Sequence, residues 1–150
     1  MQALLEWPTM NVRMEKNLIR IILVEDHEMV RASLKQLFKD IRHIEVVADC
    51  SNGLDAIELA SELKPHVVLV DVNMTPIDGF ETSRRLLDSE PAVRVIGLSM
   101  NTHPHYAQRM LDNGARGYVT KSSPFAEILR AIEEVHEGII YICEEVRKKM

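Results

Sequence analysis

Five short runs of β-branched and other apolar residues are the feature that most restricts how this chain can fold. The runs are too continuously apolar to keep one face in water, which is typical of strands buried on both faces of a parallel sheet. They occupy residues 18–24, 44–50, 66–71, 93–99 and 116–121. Buried parallel strands need helices on both faces of their sheet, so the runs predict an α/β domain.

The segments between these runs carry apolar residues at the three- and four-residue spacing of amphipathic helices. Five strands that alternate with five helices favour, at this length, a doubly wound parallel sheet of flavodoxin-like strand order 2-1-3-4-5. Ser123 and Pro124 suit the start of the fifth helix, and Gly138 suits the position just past its end. The helices are expected over residues 27–41, 53–64, 79–88, 105–114 and 123–138.

The charge and cysteine content exclude several classes of function. A formal net charge of −5 over 150 residues disfavours direct binding to nucleic acid or to an anionic membrane, since both need clustered lysine and arginine. Cys50 and Cys143 match no metal-binding or redox spacing, so a reduced protein of the cytoplasm is expected. No apolar run is long enough to span a bilayer.

Both ends of the chain are expected to lie outside the domain, which is assigned to residues 18–138. Residues 1–17 lack the charged leader and apolar block of a secretory signal and are interpreted as a disordered tail. Residues 139–150 form a short apolar run and a charged piece with no evident packing partner. We expect them to begin a linker to an output domain beyond this chain.

Polar side chains stand at the carboxyl ends of four of the five predicted strands. Glu25 and Asp26 follow the first strand, and Asp71 ends the third. Ser99 ends the fourth strand and Lys121 the fifth. Ligands of open α/β sheets bind beyond the carboxyl ends of the strands, where the strand order reverses, here between strands one and three. These five side chains are therefore expected to meet in one site.

The acidic residues of this set predict a magnesium site. Carboxylates that converge repel one another unless a cation lies among them, and oxygen ligands suit Mg²⁺. Asp26 and Asp71 are expected to bind the ion directly and Glu25 through water. The backbone carbonyl of Asn73, on the loop after the third strand, is a further candidate ligand.

A carboxylate beside Mg²⁺ can act as a nucleophile toward phosphorus and form an aspartyl phosphate. The Lys121 ammonium would help to neutralise charge on the transferring phosphoryl group, and the Ser99 hydroxyl could donate to one of its oxygens. Asp71 is therefore the predicted phosphoacceptor.

The segments "VEDH", "VVLVDVNMTPIDG", "GLS" and "GARGYVTK" closely resemble the receiver domain of two-component response regulators, which has the CheY-like fold. The resemblance covers about residues 18–138 and implies that Asp71 is the phosphoacceptor. It also implies that Glu25 and Asp26 form the acidic pair for Mg²⁺ and that Asn73 offers its carbonyl.

The same resemblance implies roles for three residues of the fourth and fifth strands. Ser99 would be the switch hydroxyl, Lys121 the lysine that pairs with the phosphate, and Tyr118 the aromatic residue whose exposure changes on activation. We expect the face formed by the fourth helix, fifth strand and fifth helix to change its affinity for a partner.

The stretch from Gly114 to Ile142 is similar to the NarL/FixJ subgroup, whose members join a receiver to a LuxR-type helix-turn-helix that binds DNA. The implied partners are a sensor histidine kinase and, as a possibility, a second copy of the chain. DNA would be bound only through an output domain, not through these residues. Thr75 departs from the family pattern, which has proline there, and Pro76 follows it.

Three other functions stay open at this point. A stand-alone receiver would act through protein contacts alone. "DVNMT" also resembles the DxDxT motif of haloacid-dehalogenase-like phosphatases, although Asn73 could not serve there as general acid and base. A flavodoxin-like FMN site is disfavoured, because Glu25 and Asp26 in its first loop would repel a phosphate. A signalling phosphoacceptor rather than an enzyme is expected.

Overall fold

The computed structural model describes residues 18–150, and the predicted tail at residues 1–17 lies outside the described residues. The described chain forms one parallel sheet in the order β2-β1-β3-β4-β5-β6. The strands are β1 Ile19–Val24, β2 Ile44–Cys50, β3 Val67–Asp71, β4 Arg94–Ser99, β5 Gly117–Thr120 and β6 Tyr141–Ile142. The helices are α1 Glu28–Phe38, α2 Gly53–Leu63, α3 Gly79–Ser89, α4 Pro104–Asp112, α5 Phe125–His136 and α6 Glu144–Arg147.

The predicted α/β class and the strand order 2-1-3-4-5 are confirmed. All five residues of β3 are buried, as a strand covered by helices on both faces must be. α5 shows how each helix covers the sheet. It buries Ile128, Ala131, Ile132 and Val135, which recur at helical spacing on one face.

The helix ends lie within three residues of the predicted bounds. Asp78 caps α3, where its side chain accepts a hydrogen bond of 2.9 Å from the backbone of Glu81. Gly138 follows α5 with a φ of 92°, in the left-handed region that glycine adopts without strain. α5 begins at Phe125, one residue later than expected, because the Ser123 hydroxyl accepts from the backbone of Thr120 instead of capping the helix.

The expectation that residues 139–150 pack against nothing is wrong. Tyr141 and Ile142 form β6, which pairs in parallel with β5, and α6 packs against α4. Tyr141, Ile142, Cys143 and Val146 are buried in the same core as the rest of the sheet. Without β6, β5 would be an edge strand with unpaired backbone groups, and a short apolar segment that follows α5 satisfies them. Part of the face expected to meet a partner is therefore covered by the chain itself.

Candidate functional site

Asp71 is the last residue of β3 and stands at the carboxyl edge of the sheet, with only 1% of its surface exposed. One of its carboxylate oxygens accepts a hydrogen bond of 3.1 Å from the backbone N–H of Asn73. The other accepts one of 3.1 Å from the ammonium of Lys121, which follows β5. Both oxygens thus face groups that stabilise negative charge, on a strand that holds them rigidly in place.

Glu25 follows β1 and is equally buried, with 1% of its surface exposed. Its Oε2 accepts hydrogen bonds of 3.0 Å from both the backbone and the ring of His27. Its Oε1 lies 2.8 Å from the Lys121 ammonium, as an ion pair without hydrogen-bond geometry, so this buried oxygen has no hydrogen-bond donor. A single ammonium is therefore shared between the carboxylates of Glu25 and Asp71.

Asp26 completes the acidic cluster on its more exposed side. Carboxylate oxygens of Glu25, Asp26 and Asp71 and a ring nitrogen of His27 all lie within 4.8 Å of one another. His27 Nδ1 is 3.1 Å from Asp26 Oδ1. The structure therefore places the three predicted acidic residues together, and His27, which also stands at the N-cap of α1, lies with them.

The cluster holds three carboxylates against one ammonium, and the pKa values reflect this imbalance. Burial, together with the neighbouring Glu25 and Asp26 carboxylates, raises the pKa of Asp71 to about 7. Burial also acts to raise the pKa of Glu25, but the close Lys121 ammonium, the Asp71 carboxyl and the hydrogen bonds of His27 together outweigh it and lower that pKa to about 2. A further positive charge in the cluster would favour the ionised form of Asp71.

Ser99 and Tyr118 lie on β4 and β5 and are both fully buried. The Ser99 hydroxyl oxygen accepts a hydrogen bond of 2.9 Å from the backbone of Asn101, and the Tyr118 hydroxyl donates one of 2.6 Å to the carbonyl of the same Asn101. The Tyr118 ring is thus already inside the protein. That its exposure changes on activation stays a prediction, as does the switch role of Ser99.

The loop after Asp71 packs closely against the start of α3. The peptide bond between Thr75 and Pro76, where the sequence departs from the family pattern, is cis. Gly79 begins α3 so close to β3 that a Cβ atom there would lie 2.6 Å from Val72 Cα and 2.7 Å from the Asp71 carbonyl oxygen. Asn73 is exposed on this loop, and the metal-binding role of its carbonyl stays a prediction.

Arg31 of α1 holds the backbone beside the site, a role that was not predicted from the sequence. Its guanidinium donates a hydrogen bond of 2.7 Å to the backbone carbonyl of Glu25 and one of 3.0 Å to the Asp49 carboxylate on β2. It thereby holds the backbone that carries the acidic pair. A lone arginine on a helix has no distinguishing sequence pattern, because its partners are remote in the chain.

Comparison with known proteins identifies the family to which the chain belongs. Residues 21–133 match the response regulator receiver domain family. Response regulator GacA of Pseudomonas aeruginosa is 35% identical over 133 residues, which are 89% of this chain and 62% of GacA. The chain thus spans about three fifths of the length of the curated relatives that it matches.

Two solved structures show the same fold. The two-component response regulator of the LuxR family from Aurantimonas sp. is 30% identical, with a TM-score of 0.84 over 88% of this chain and 94% of that one. The isolated receiver domain of RcsB from Salmonella enterica, solved with the phosphomimetic BeF₃⁻, is 23% identical. It has a TM-score of 0.81 over 89% of this chain and 99% of that one, which supports the fold alone.

Among residues 18–150, no helix has the length and apolar character needed to cross a membrane. The family match covers most of the chain and includes Glu25, Asp26, Asp71 and Lys121. The resemblance noted in the sequence is therefore confirmed. This chain belongs to the receiver domains of two-component response regulators, and its LuxR-family relatives place it in the NarL/FixJ subgroup.

Proposed function

We propose that Asp71 accepts a phosphoryl group from a sensor histidine kinase and that this modification switches an output. The observation that carries the proposal is the position of the buried Asp71 carboxylate, on the rigid end of β3 and bonded to the Lys121 ammonium. Buried carboxylates with strongly raised pKa values that stand beside a lysine in a cluster of further acids are characteristic of functional sites.

The oxygen donors of the acidic cluster fit Mg²⁺. Asp26 and Asp71 would hold the ion directly, Glu25 through water, and Asn73 through its backbone carbonyl. The bound ion would supply positive charge that offsets both the carboxylates and the phosphoryl oxygens. Support comes from the three carboxylates that lie within 4.8 Å of one another with one ammonium beside them, and from the raised pKa of Asp71.

In the proposed transfer, an ionised oxygen of Asp71 forms a bond to phosphorus as the bond from phosphorus to the histidine nitrogen of the kinase breaks. The electron pair of the broken bond stays with that nitrogen. The Lys121 ammonium, already within 3.1 Å of Asp71, stabilises the charge on the transferring group. No general base is needed when Asp71 is in its ionised form, which a further positive charge in the cluster would favour.

The phosphoryl group adds about −1.5 to −2 charge at neutral pH and offers three acceptor oxygens. The Ser99 hydroxyl, one strand away, can donate to one of them by giving up its contact with the backbone of Asn101. Because Asn101 also binds the Tyr118 hydroxyl, the two residues respond together, as a shift between two states of the β4–α4 loop.

The output is proposed to be transcriptional, through a LuxR-type helix-turn-helix domain that follows the receiver. The relatives support this, because the chain spans only 62% of GacA and the solved Aurantimonas relative is of the LuxR family. Because these 150 residues carry a net charge of −5, which disfavours contact with phosphates, we assign DNA binding to such a domain and not to these residues. A stand-alone cytoplasmic receiver, monomeric or as a homodimer, is the alternative, and sequencing the gene beyond Met150 distinguishes the two.

The phosphoacceptor is tested by labelling the chain with a small phosphodonor, with and without Mg²⁺. We expect Mg²⁺-dependent labelling of the wild type and none of Asp71→Asn. Asp88→Asn is the matched control, since Asp88 is an exposed acid of α3 remote from the carboxyl edge. Equal labelling of wild type and Asp71→Asn would refute the assignment, and labelling that needs no metal would refute the role of the acidic cluster.

A further inference from the structure

The C-terminal segment, residues 139–150, is attached to β5, the strand that directly precedes Lys121. Backbone bonds of 3.0 Å join Tyr141 to Arg116 and Cys143 to the carbonyl of Tyr118. Cys143 and Val146 are fully buried behind β5. The segment is thus an integral part of the fold and lies against the strand that delivers Lys121.

Glu145 of α6 binds both neighbours of Lys121. Its Oε2 accepts a hydrogen bond of 2.8 Å from the Thr120 hydroxyl and another of 2.8 Å from the Ser122 hydroxyl. These two bonds lower the pKa of Glu145, so its carboxylate is ionised at neutral pH. Thr120 is fully buried, and its hydroxyl also lies 3.0 Å from the Ser123 hydroxyl and 3.2 Å from the Ser122 hydroxyl. The residues on either side of the site lysine are therefore held by one carboxylate of the C-terminal segment.

A second link joins the segment to the other loop of the site. The Lys149 ammonium donates a hydrogen bond of 2.6 Å to the Thr102 hydroxyl. Thr102 follows Asn101, whose backbone binds both the Ser99 and the Tyr118 hydroxyls. Lys149 and Thr102 are solvent-accessible, so this bond alone contributes little. The two loops that carry Ser99 and Lys121 nevertheless both contact the same segment.

We propose that Glu145 positions the Lys121 loop and couples phosphorylation of Asp71 to release of the C-terminal segment. The inference rests on the proposed function, because it requires a phosphoryl group at Asp71. Lys121 is now shared between Glu25 and Asp71, and it must move to meet phosphoryl oxygens that lie beyond the Asp71 carboxylate. A change in the Lys121 loop that accompanies this movement would reach Glu145 through its bonds to Thr120 and Ser122.

The sign of the coupling follows from charge. The phosphoryl group adds negative charge next to Lys121, and Glu145 is an anion held by the residues on either side of that lysine. The negative charges of the phosphoryl group and of Glu145 repel each other, so phosphorylation weakens the attachment of the C-terminal segment. Coupling between two sites is reciprocal, and loosening the segment must therefore strengthen binding at Asp71 by the same factor. Whatever follows residue 150 would be freed by this release.

The experiment measures the affinity of the 150-residue chain for BeF₃⁻ in Mg²⁺ by ¹⁹F nuclear magnetic resonance titration. We expect Glu145→Gln to bind BeF₃⁻ about 5-fold more tightly than the wild type does. A change of this size is at the low end of the coupling usually found between two linked sites. Ser122→Ala, which removes one bond without changing the charge of Glu145, should shift the affinity in the same direction by less. Glu144→Gln is the matched control on the same helix, because the Glu144 side chain has only an exposed ion pair with Lys148.

A second measurement reports on the segment itself. Hydrogen exchange at the amides of Tyr141 and Cys143 should become faster when BeF₃⁻ binds, and in Glu145→Gln it should be fast already without BeF₃⁻. A substitution that merely destabilised the fold could not increase the affinity for BeF₃⁻, so the two readouts together separate coupling from damage.

The possible outcomes separate the two proposals. If the wild type failed to bind BeF₃⁻ in Mg²⁺, the proposed phosphoacceptor function would be refuted and the coupling with it. If the wild type bound it, the coupling alone would be overturned by unchanged or weaker binding in Glu145→Gln, or by an equal gain in Glu144→Gln. Exchange at Tyr141 and Cys143 that does not respond to BeF₃⁻ would overturn it as well.

Discussion

The substitution Gly79→Ala tests how closely α3 must approach the phosphoacceptor strand. The added Cβ would lie 2.6 Å from Val72 Cα and 2.7 Å from the Asp71 carbonyl oxygen, whereas non-bonded carbon contacts are comfortable at about 3.5–4.0 Å. Both neighbours are backbone atoms of a buried strand and its exit, so no side chain can rotate away. The start of α3 or the Asp71 loop must therefore move by about 1 Å.

The expected cost follows from two opposing effects. Overpacking of this kind costs about 1–3 kcal/mol, and alanine recovers about 0.5–1 kcal/mol over glycine within a helix. We therefore expect Gly79→Ala to lower the free energy of unfolding by about 1–2 kcal/mol. For a domain of this size this corresponds to a fall in Tm of about 2–8 °C. Because the displaced atoms belong to the Asp71 loop, binding of BeF₃⁻ should weaken as well.

Urea unfolding at 25 °C measures this loss, with Gly97→Ala as the matched control. A Cβ at Gly97 would meet Met110 Cε at 3.0 Å and Cγ at 3.1 Å, and these atoms belong to a flexible side chain that can rotate. Gly97→Ala should therefore cost less than half as much. If Gly79→Ala were as stable as the wild type, or if Gly97→Ala cost as much, the argument from backbone contact would be refuted.

Two further predictions concern packing and pH. Val146→Ala removes two methyl groups from the buried side of α6 and should lower the free energy of unfolding, measured in urea, by about 1–2 kcal/mol. Ile140→Ala, at a residue that is 53% exposed, should lower it by under about 0.5 kcal/mol. Equal losses of stability would contradict the packing of the C-terminal segment. Burial, followed by nearby cationic groups, lowers the pKa of His66 below 6.5, so the neutral form is favoured in the folded state. The stability from this group is complete above pH 6.5 and is lost as the pH falls through the lowered pKa. His66→Gln should therefore lose less stability than the wild type between about pH 7 and pH 5, and parallel curves for the two proteins would contradict the assignment.

Residues of the C-terminal segment cover β5, which was expected to form part of the surface that meets a partner. The sequence analysis expected the face of α4, β5 and α5 to meet a partner directly. In the structure β6 pairs with β5, and α6 packs against α4. Residues 139–150, which were expected to begin a linker, therefore lie between β5 and any partner that would approach that strand from the edge of the sheet.

Several features could be predicted from the sequence because they depend on local patterns. Continuous apolar runs that alternate with helical periodicity allow few arrangements other than a doubly wound sheet. The chain direction of parallel strands then places the ends of β1, β3, β4 and β5 at one edge, so Glu25, Asp71 and Lys121 had to lie near one another. The end of α5 at Gly138 could also be predicted, because it depends on the chemistry of a single residue just past a helix.

Other features were decided only by the tertiary structure. A two-residue strand such as β6 is too short to show any periodicity, and it forms because β5 offers it unpaired backbone groups. The sharing of Lys121 between two carboxylates, and the bonds from Glu145 to Thr120 and Ser122, join residues that are far apart in the chain. Sequence spacing determines which groups arrive at the same edge of a sheet. Which atoms then make contact there depends on how the helices and loops pack around that edge.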